Sequence, residues 1–375
     1  MTDTKTRWGL ILLLYAAGLL AAWQFAKIAL TLTALADAYP DRPVALLVSG
    51  VSVAGIVFGA TAGVIIARIG PRRALLIALL AAAALTAGQA ALPAYPLMMA
   101  LRVLEGAAHL IVVVAAPTLM AASAVGRDVP VAMGLWGTFF GVGFATAALF
   151  FPVFGSVPGI LMANAAAFLI LAAALWPILP RTERETSVRQ SFLARHIAIY
   201  RNPRLVAPAA GFFAHTIVFL GMLTFLPSVL GSWVGPILPL VALVGTFGAG
   251  ILARYMPPRT ILLAAFLVSS VGMLLATVLP EMARAVTVLA MFGAVGLVPG
   301  AALALVPGLN EKTADQALAN GAIAQLGNVG TAASVPLVAW ATTYDFPGIA
   351  AVYAAISLLG LLAVWLIHRK IAEPA

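Results

Sequence analysis

Apolar runs of about 20 residues, long enough for a helix to cross a bilayer, recur along the whole chain. Short polar or Pro/Gly-rich breaks separate them. Twelve spans are predicted, at 8–36, 44–67, 74–92, 96–124, 130–154, 158–179, 205–230, 234–253, 260–279, 284–309, 317–343 and 347–367. The N-terminal stretch MTDTKTRWGLILLLYAAGLLAAW has the basic start and small residues of a signal peptide. Its apolar run continues past the usual length and similar runs follow, so it is expected to remain as span 1. The one long polar segment, 181–204, falls between spans 6 and 7. It is expected to be a cytoplasmic linker between an N-terminal six-helix bundle, 1–180, and a C-terminal six-helix bundle, 205–375. The fold class is all-α and integral to the membrane.

Composition sharpens this picture. The 375 residues are 63% hydrophobic and 9% charged, with a mean hydropathy of +1.09, where a soluble domain carries about a quarter charged residues. No sizeable soluble domain fits beside twelve spans. The net charge of +9 invites a nucleic-acid reading, but the placement of the charges answers it. Of 21 Lys and Arg, Arg42 and Arg284 lie in loops on one side, Lys27 and Arg102 within spans, and the remaining 17 on the opposite side. That asymmetry marks a cytoplasmic face holding both termini, whose basic loops can meet anionic lipid; no nucleic-acid partner is expected. The absence of Cys excludes disulfides and thiolate metal sites.

The two halves repeat. At an offset of 186, Ala67, Arg68 and Pro71 match Ala253, Arg254 and Pro257, and Arg73 matches Arg259. At 187, Asp128, Gly134, Gly143 and Ala145 match Asp315, Gly321, Gly330 and Ala332. Parallel repeats of this kind are a transporter architecture that holds substrate between the halves near the midplane.

Ionisable groups within the spans are the candidate chemistry, because charge at membrane depth is expensive and marks a transport path. Span 4 carries Arg102, Glu105 and His109. On a helix, Glu105 and His109 fall within about 60° of Arg102 and the three cover two turns. In span 1, Trp23, Gln24, Lys27 and Thr31 share a face, and Lys27 matches the depth of Glu105. His215 on span 7 is a further titratable candidate, and Trp136, Gln325 and Asn328 are polar or amphipathic candidates on spans 5 and 11.

The stretch Gly63-Val-Ile-Ile-Ala-Arg68-Ile-Gly70-Pro-Arg72-Arg73 resembles the G-x-x-x-D-R-x-G-R-R loop of the major facilitator superfamily, with Ala67 at the aspartate and Pro71 at an arginine. Arg102-Val-Leu-Glu105-Gly106 is similar to that family's R-x-x-Q-G pattern, with Glu for Gln. The Gln325–Thr331 stretch with Pro336 is similar to permeases of the cyanate and nitroimidazole branch. The resemblance implies alternating access about a cavity lined by spans 1, 4, 7 and 10, with Gly63, Arg68, Gly70 and Arg72 in a gating loop. The glycine-dense Gly134–Gly143 stretch lacks the G-x-x-x-G-P-x-x-G-G signature of proton-antiporting drug pumps.

On this reading Lys27, Arg102 and Glu105 meet in the cavity with an excess positive charge, which favours an anionic solute. Gln24, Lys27, Arg102, His109, Trp136, His215, Gln325 and Asn328 are the expected substrate-binding residues, and Glu105 the proton-coupling one. Efflux of amphipathic compounds past Trp23, Phe25, Trp136, Phe139 and Phe140 is the alternative. No nucleophile–base pair, metal-ligand spacing or Gly-rich phosphate loop is present, so neither an enzyme nor a cofactor is expected. The expected partners are a small-molecule substrate, protons and membrane lipid. Carboxylates are too few for a sodium cage. A monomer suffices.

Overall fold

A computed structural model describes residues 5–180, 192–231 and 233–372 of the chain. Residues 181–191 of the expected linker lie outside the described residues. Span 1 is Trp8–Ala29, followed across a break by a short helix, Leu32–Ala38. The sequence pattern ran straight through this break. It falls at Thr31, whose hydroxyl turns back onto the Lys27 carbonyl at 2.6 Å, a local bond that competes with the helix ladder. Span 2 runs over Leu46–Ile69, span 3 over Pro71–Ala90 and span 4 over Tyr95–Ala122. Gly70 joins spans 2 and 3 as a one-residue turn at φ 88°, a conformation that glycine adopts without strain.

Span 5 is the pair Asp128–Gly137 and Phe139–Phe154, bent by 48° at Thr138, and span 6 is Val157–Ile178. A linker helix, Phe192–Arg201, precedes span 7, Pro203–Leu230, whose first turn is capped by Asn202. Spans 8, 9 and 10 are Val234–Leu252, Pro258–Ala276 and Glu281–Leu309. Spans 11 and 12, Thr313–Ala341 and Asp345–Ala372, are separated by a tight turn that places Asp345 at φ 54°. Twelve apolar passes result among the described residues, and the chain is a multi-pass membrane protein.

The two six-helix halves meet along two seams built on glycine, which lets helix backbones approach closely. In one seam a Cβ on Gly63 would strike the Ala317 carbonyl, Gly59 lies against Gln325, and Gly55 against Asn328. In the other, Gly134 lies against Gly250, Gly137 against Thr246, and Gly141 against Leu243. Both series begin near the end of the bundle that carries the basic loops. Both stop 13 or 14 residues along spans 2 and 5, roughly 20 Å in at 1.5 Å per residue. Beyond that level Phe139–Phe150 of span 5 packs on span 1, where Gly143 meets Leu19 and Ala22. The basic end is therefore the closed end.

Candidate functional site

Lys27, Arg102 and Glu105 come together, as their shared depth predicted, but they do so inside the N-terminal bundle. All three are fully buried. Glu105 Oε1 accepts from Lys27 Nζ at 2.5 Å and from the Thr86 hydroxyl at 2.7 Å. Oε2 accepts from the Arg102 guanidinium and from Gln89 Nε2 at 2.8 Å. Arg102 spends its other donors on the carbonyls of Leu47, 2.8 Å from Nε, and Gln24, 2.9 Å from Nη2. Lys27 also donates to Thr86 at 2.8 Å. Two cations and one carboxylate leave a formal excess of one positive charge. In so apolar a setting such a cluster persists only because nearly every donor and acceptor is met.

This geometry corrects the sequence expectation that the cluster lines an open cavity. The reason lies on span 3, where Thr86 and Gln89, both fully buried, offer oxygen and amide partners to the charges. Lys27 turns toward them, while Trp23, expected on the same face, turns to span 5 and donates to Thr146 at 3.0 Å. At about 100° per residue, Phe25 lies some 160° round the helix from Lys27, so the opposite face of span 1 looks out of the bundle. The polar pair at i and i+3 in an otherwise apolar span was the one available signal for Thr86 and Gln89.

Phe25 begins an aromatic wall. Its ring meets His109 edge-on with centroids at 5.1 Å and Phe140 at 5.6 Å, and Phe140 is 44% exposed. On span 5, Phe140 points between the direction of Gly143, which faces span 1, and that of Gly141, which faces span 8. It therefore borders the space between the halves, at the level where the seams end. His109 is half-buried and connects this wall to the ions. Its Nδ1 lies 3.0 Å from Gln24 Oε1, and the Gln24 carbonyl takes the Arg102 bond. Gln24 Nε2 is buried with no protein partner.

The remaining sequence candidates separate. Trp136 is buried, stacked on Phe139 at 4.7 Å and pressed against Gly18, so it packs helices rather than lining the open space. His215 is buried in the C-terminal half, with Phe219 at 4.7 Å. Gln325 sits in the span 2–span 11 seam, donating to the Ile56 carbonyl at 2.8 Å and accepting from the Tyr200 hydroxyl at 2.8 Å. Asn328 is half-buried above it and donates to the Ala324 carbonyl. In the expected gating loop, Gly63 packs on the Ala317 carbonyl in the seam, Gly70 makes the turn, and Arg68 is exposed. Arg72 Nη2 caps the Trp176 carbonyl of span 6 at 2.7 Å, a bond within its own half. An ion pair, Arg254 to Asp128 at 2.6 Å, crosses between the halves. Sequence reasoning matched both residues to repeat partners without pairing them.

A family model described as Major Facilitator Superfamily matches residues 12–232. Among solved structures, the fold is similar to the E. coli fucose:proton symporter FucP, at 14% identity and a TM-score of 0.74, covering 95% of this chain and 98% of that one. It is similar to the proton:xylose symporter XylE, at 15% identity, a TM-score of 0.75, and coverage of 96% and 95%. It is also similar to the human organic anion transporter MFSD10 (TETRAN), at 18% identity, a TM-score of 0.70, and coverage of 96% and 98%. No curated protein matches the sequence significantly.

Proposed function

Because the chain belongs to the Major Facilitator Superfamily, we propose that it is a secondary active transporter whose halves rock about a mid-depth site and carry a small anionic or partly anionic organic solute, coupled to protons. The asymmetry of basic residues supports a cytoplasmic position for the closed end and both termini, with the chain in the inner (plasma) membrane. The conformation is then outward-facing.

The observation that carries the substrate reading is the unbalanced positive charge sealed directly behind the Phe25–His109 wall. In a low-dielectric interior that charge draws an anion toward the cluster. The aromatic wall in front suits a solute with an apolar or aromatic body. MFSD10 is an organic anion transporter and FucP and XylE are proton symporters, which agrees with this reading without fixing it.

Coupling follows from the four donors on Glu105. As it stands, the carboxylate has no free lone pair to receive a proton. An entering anion competes for Arg102 and Lys27, and Glu105 takes a proton as those donors leave. For a monovalent anion the charge in the site is the same before and after, so the step avoids a new uncompensated charge at membrane depth.

Uptake into proteoliposomes under an imposed pH gradient tests this, with radiolabelled aromatic and aliphatic carboxylates against neutral and cationic analogues. The expected result is pH-driven carboxylate uptake that Lys27→Met weakens about tenfold or more, on the scale of one charge-assisted contact. Glu105→Gln should abolish the pH drive and leave exchange. The exposed Phe140 favours a second reading, proton-driven efflux of amphipathic compounds. Transport of neutral or cationic amphipaths, indifferent to Lys27→Met, would replace the first reading with the second.

A further inference from the structure

The linker helix Phe192–Arg201 has two faces, and they do different work. One face carries His196, Ile199 and Tyr200. Ile199 is 3% exposed and joins the core shared by spans 1–6 and the basic ends of spans 7, 10 and 11. Tyr200 donates its hydroxyl to Gln325 Oε1 at 2.8 Å, and His196 Nε2 lies 3.3 Å from Gln325 Nε2. The same Gln325 amide donates across the seam to the Ile56 carbonyl at 2.8 Å. That bond fixes the amide's orientation, since only the nitrogen can donate to a carbonyl. One side chain thus ties three elements together: the linker helix, span 11 of one half and span 2 of the other.

The other face bears a stripe at i, i+4 and i+8: Leu193, 67% exposed, Ile197, 43% exposed, and Arg201, also exposed. Arg204 stands exposed three residues further, in the first turn of span 7. A short helix with apolar side chains in line with arginines, at the basic end of a membrane bundle, suits the headgroup boundary of a bilayer. The arginines reach phosphate oxygens while Leu193 and Ile197 enter the acyl boundary.

We propose that the linker helix is a lipid-responsive clasp: its outer face binds the anionic phospholipid of the adjoining leaflet, and its inner face, through Tyr200 and Gln325, holds the basic-side seam closed. Opening of the seam parts Ile56 from Gln325 and removes the platform on which Tyr200 rests. Anionic lipid therefore binds the closed state more strongly than the open one, and that difference is what shifts the equilibrium. The clasp rests on the alternating-access reading and adds to it a regulator, the headgroup charge.

The chain has no native cysteine, so spin labels at Arg73→Cys and Thr260→Cys, exposed positions on spans 3 and 9 of opposite halves, can report the basic-end separation. The full-length protein is measured by electron–electron double resonance in nanodiscs of phosphatidylcholine alone and with phosphatidylglycerol added. Anionic lipid should raise the closed-to-open ratio by up to about fivefold for each arginine engaged. Arg201→Gln with Arg204→Gln should remove the lipid dependence, and Arg201→Lys with Arg204→Lys should restore it. Tyr200→Phe, which keeps the ring and loses the bond to Gln325, should also remove it without unfolding the bundle. A distance distribution identical in both lipids overturns the proposal and leaves the exposed stripe to a protein partner. So does a lipid response that survives the double Gln variant. If the distribution in either case still moves with pH or added carboxylate, the transport reading stands without the clasp.

Discussion

The two halves share one repeat and one helix count, yet they treat polarity in opposite ways. The N-terminal half buries two cations, a carboxylate, a hydroxyl and two amides in one connected network. The C-terminal half places a histidine in an aromatic stack, His215 on Phe219 and Phe219 on Phe292 at 5.2 Å. Where buried hydroxyls there are bonded, they serve the backbone, as Thr246 serves the Ala242 and Gly296 carbonyls and Ser334 the Gly221 N–H. Its one cation beyond the basic end, Arg284, stays near the opposite end of the bundle on the Ala276 and Leu279 carbonyls and over the Phe346 ring. Among the described residues no ion pair lies within the C-terminal spans. Charge in a membrane is cheapest when gathered into one satisfied network, so one half holds the electrostatics and the other supplies a wall to close against.

The strongest way to break this contrast is to remove Glu105. Glu105→Leu leaves two buried cations without their anion and should cost about 3–5 kcal/mol, read as lost stability in thermal or denaturant unfolding of the purified protein. A variant as stable as the parent would mean that the network does not hold the N-terminal half together. Lys27→Met is the sharper companion, because it leaves the Arg102–Glu105 pair balanced and should cost markedly less than Glu105→Leu.

The seams come next. Gly134→Val forces a side chain into the Gly250 backbone, and such overpacking costs about 1–3 kcal/mol. Here the strain falls on the closed state, so the basic end should open and cysteines placed there should label faster. Unchanged labelling would show that the seam has slack. In the aromatic stack, His215→Phe should change stability by less than about 1.5 kcal/mol, since it keeps a ring in place, gives up one bond to the Val295 backbone and discards a buried Nδ1 that has no partner. Loss of transport with stability intact would make His215 a working residue and end the division of labour between halves. The smallest effect belongs to Asp128→Asn. The Arg254–Asp128 pair is 35% and 27% exposed, so its loss should be small beside the changes above and fade as salt is added. A larger, salt-insensitive loss would make this pair the principal lock.

Much of this was legible in the chain. Apolar runs and their breaks located the twelve passes, because each span must satisfy its own backbone in lipid whatever its neighbours do. Arg102 and Glu105 were predictable neighbours at i and i+3, and Lys27 was placed at their depth by counting residues. The repeat pointed to Asp128 and Arg254 as landmarks. What counting could not supply was rotation about each helix axis. Lys27 and Phe25 are two residues apart, and which of them faces the bundle was decided by Thr86 and Gln89 on another span. The same holds for Gln325, a polar residue on span 11 whose meaning depends on Ile56 and Tyr200, 269 and 125 residues away.

The sequence alone thus determined the passes, their depth and the charge they carry, since hydropathy and helical rise act locally. The tertiary structure alone decided that the charges are sealed behind an aromatic wall, that glycine seams close the basic end, and that one amide joins three elements. Those outcomes depend on which helix faces meet, and a buried charge turns toward whichever partners the packing brings within reach.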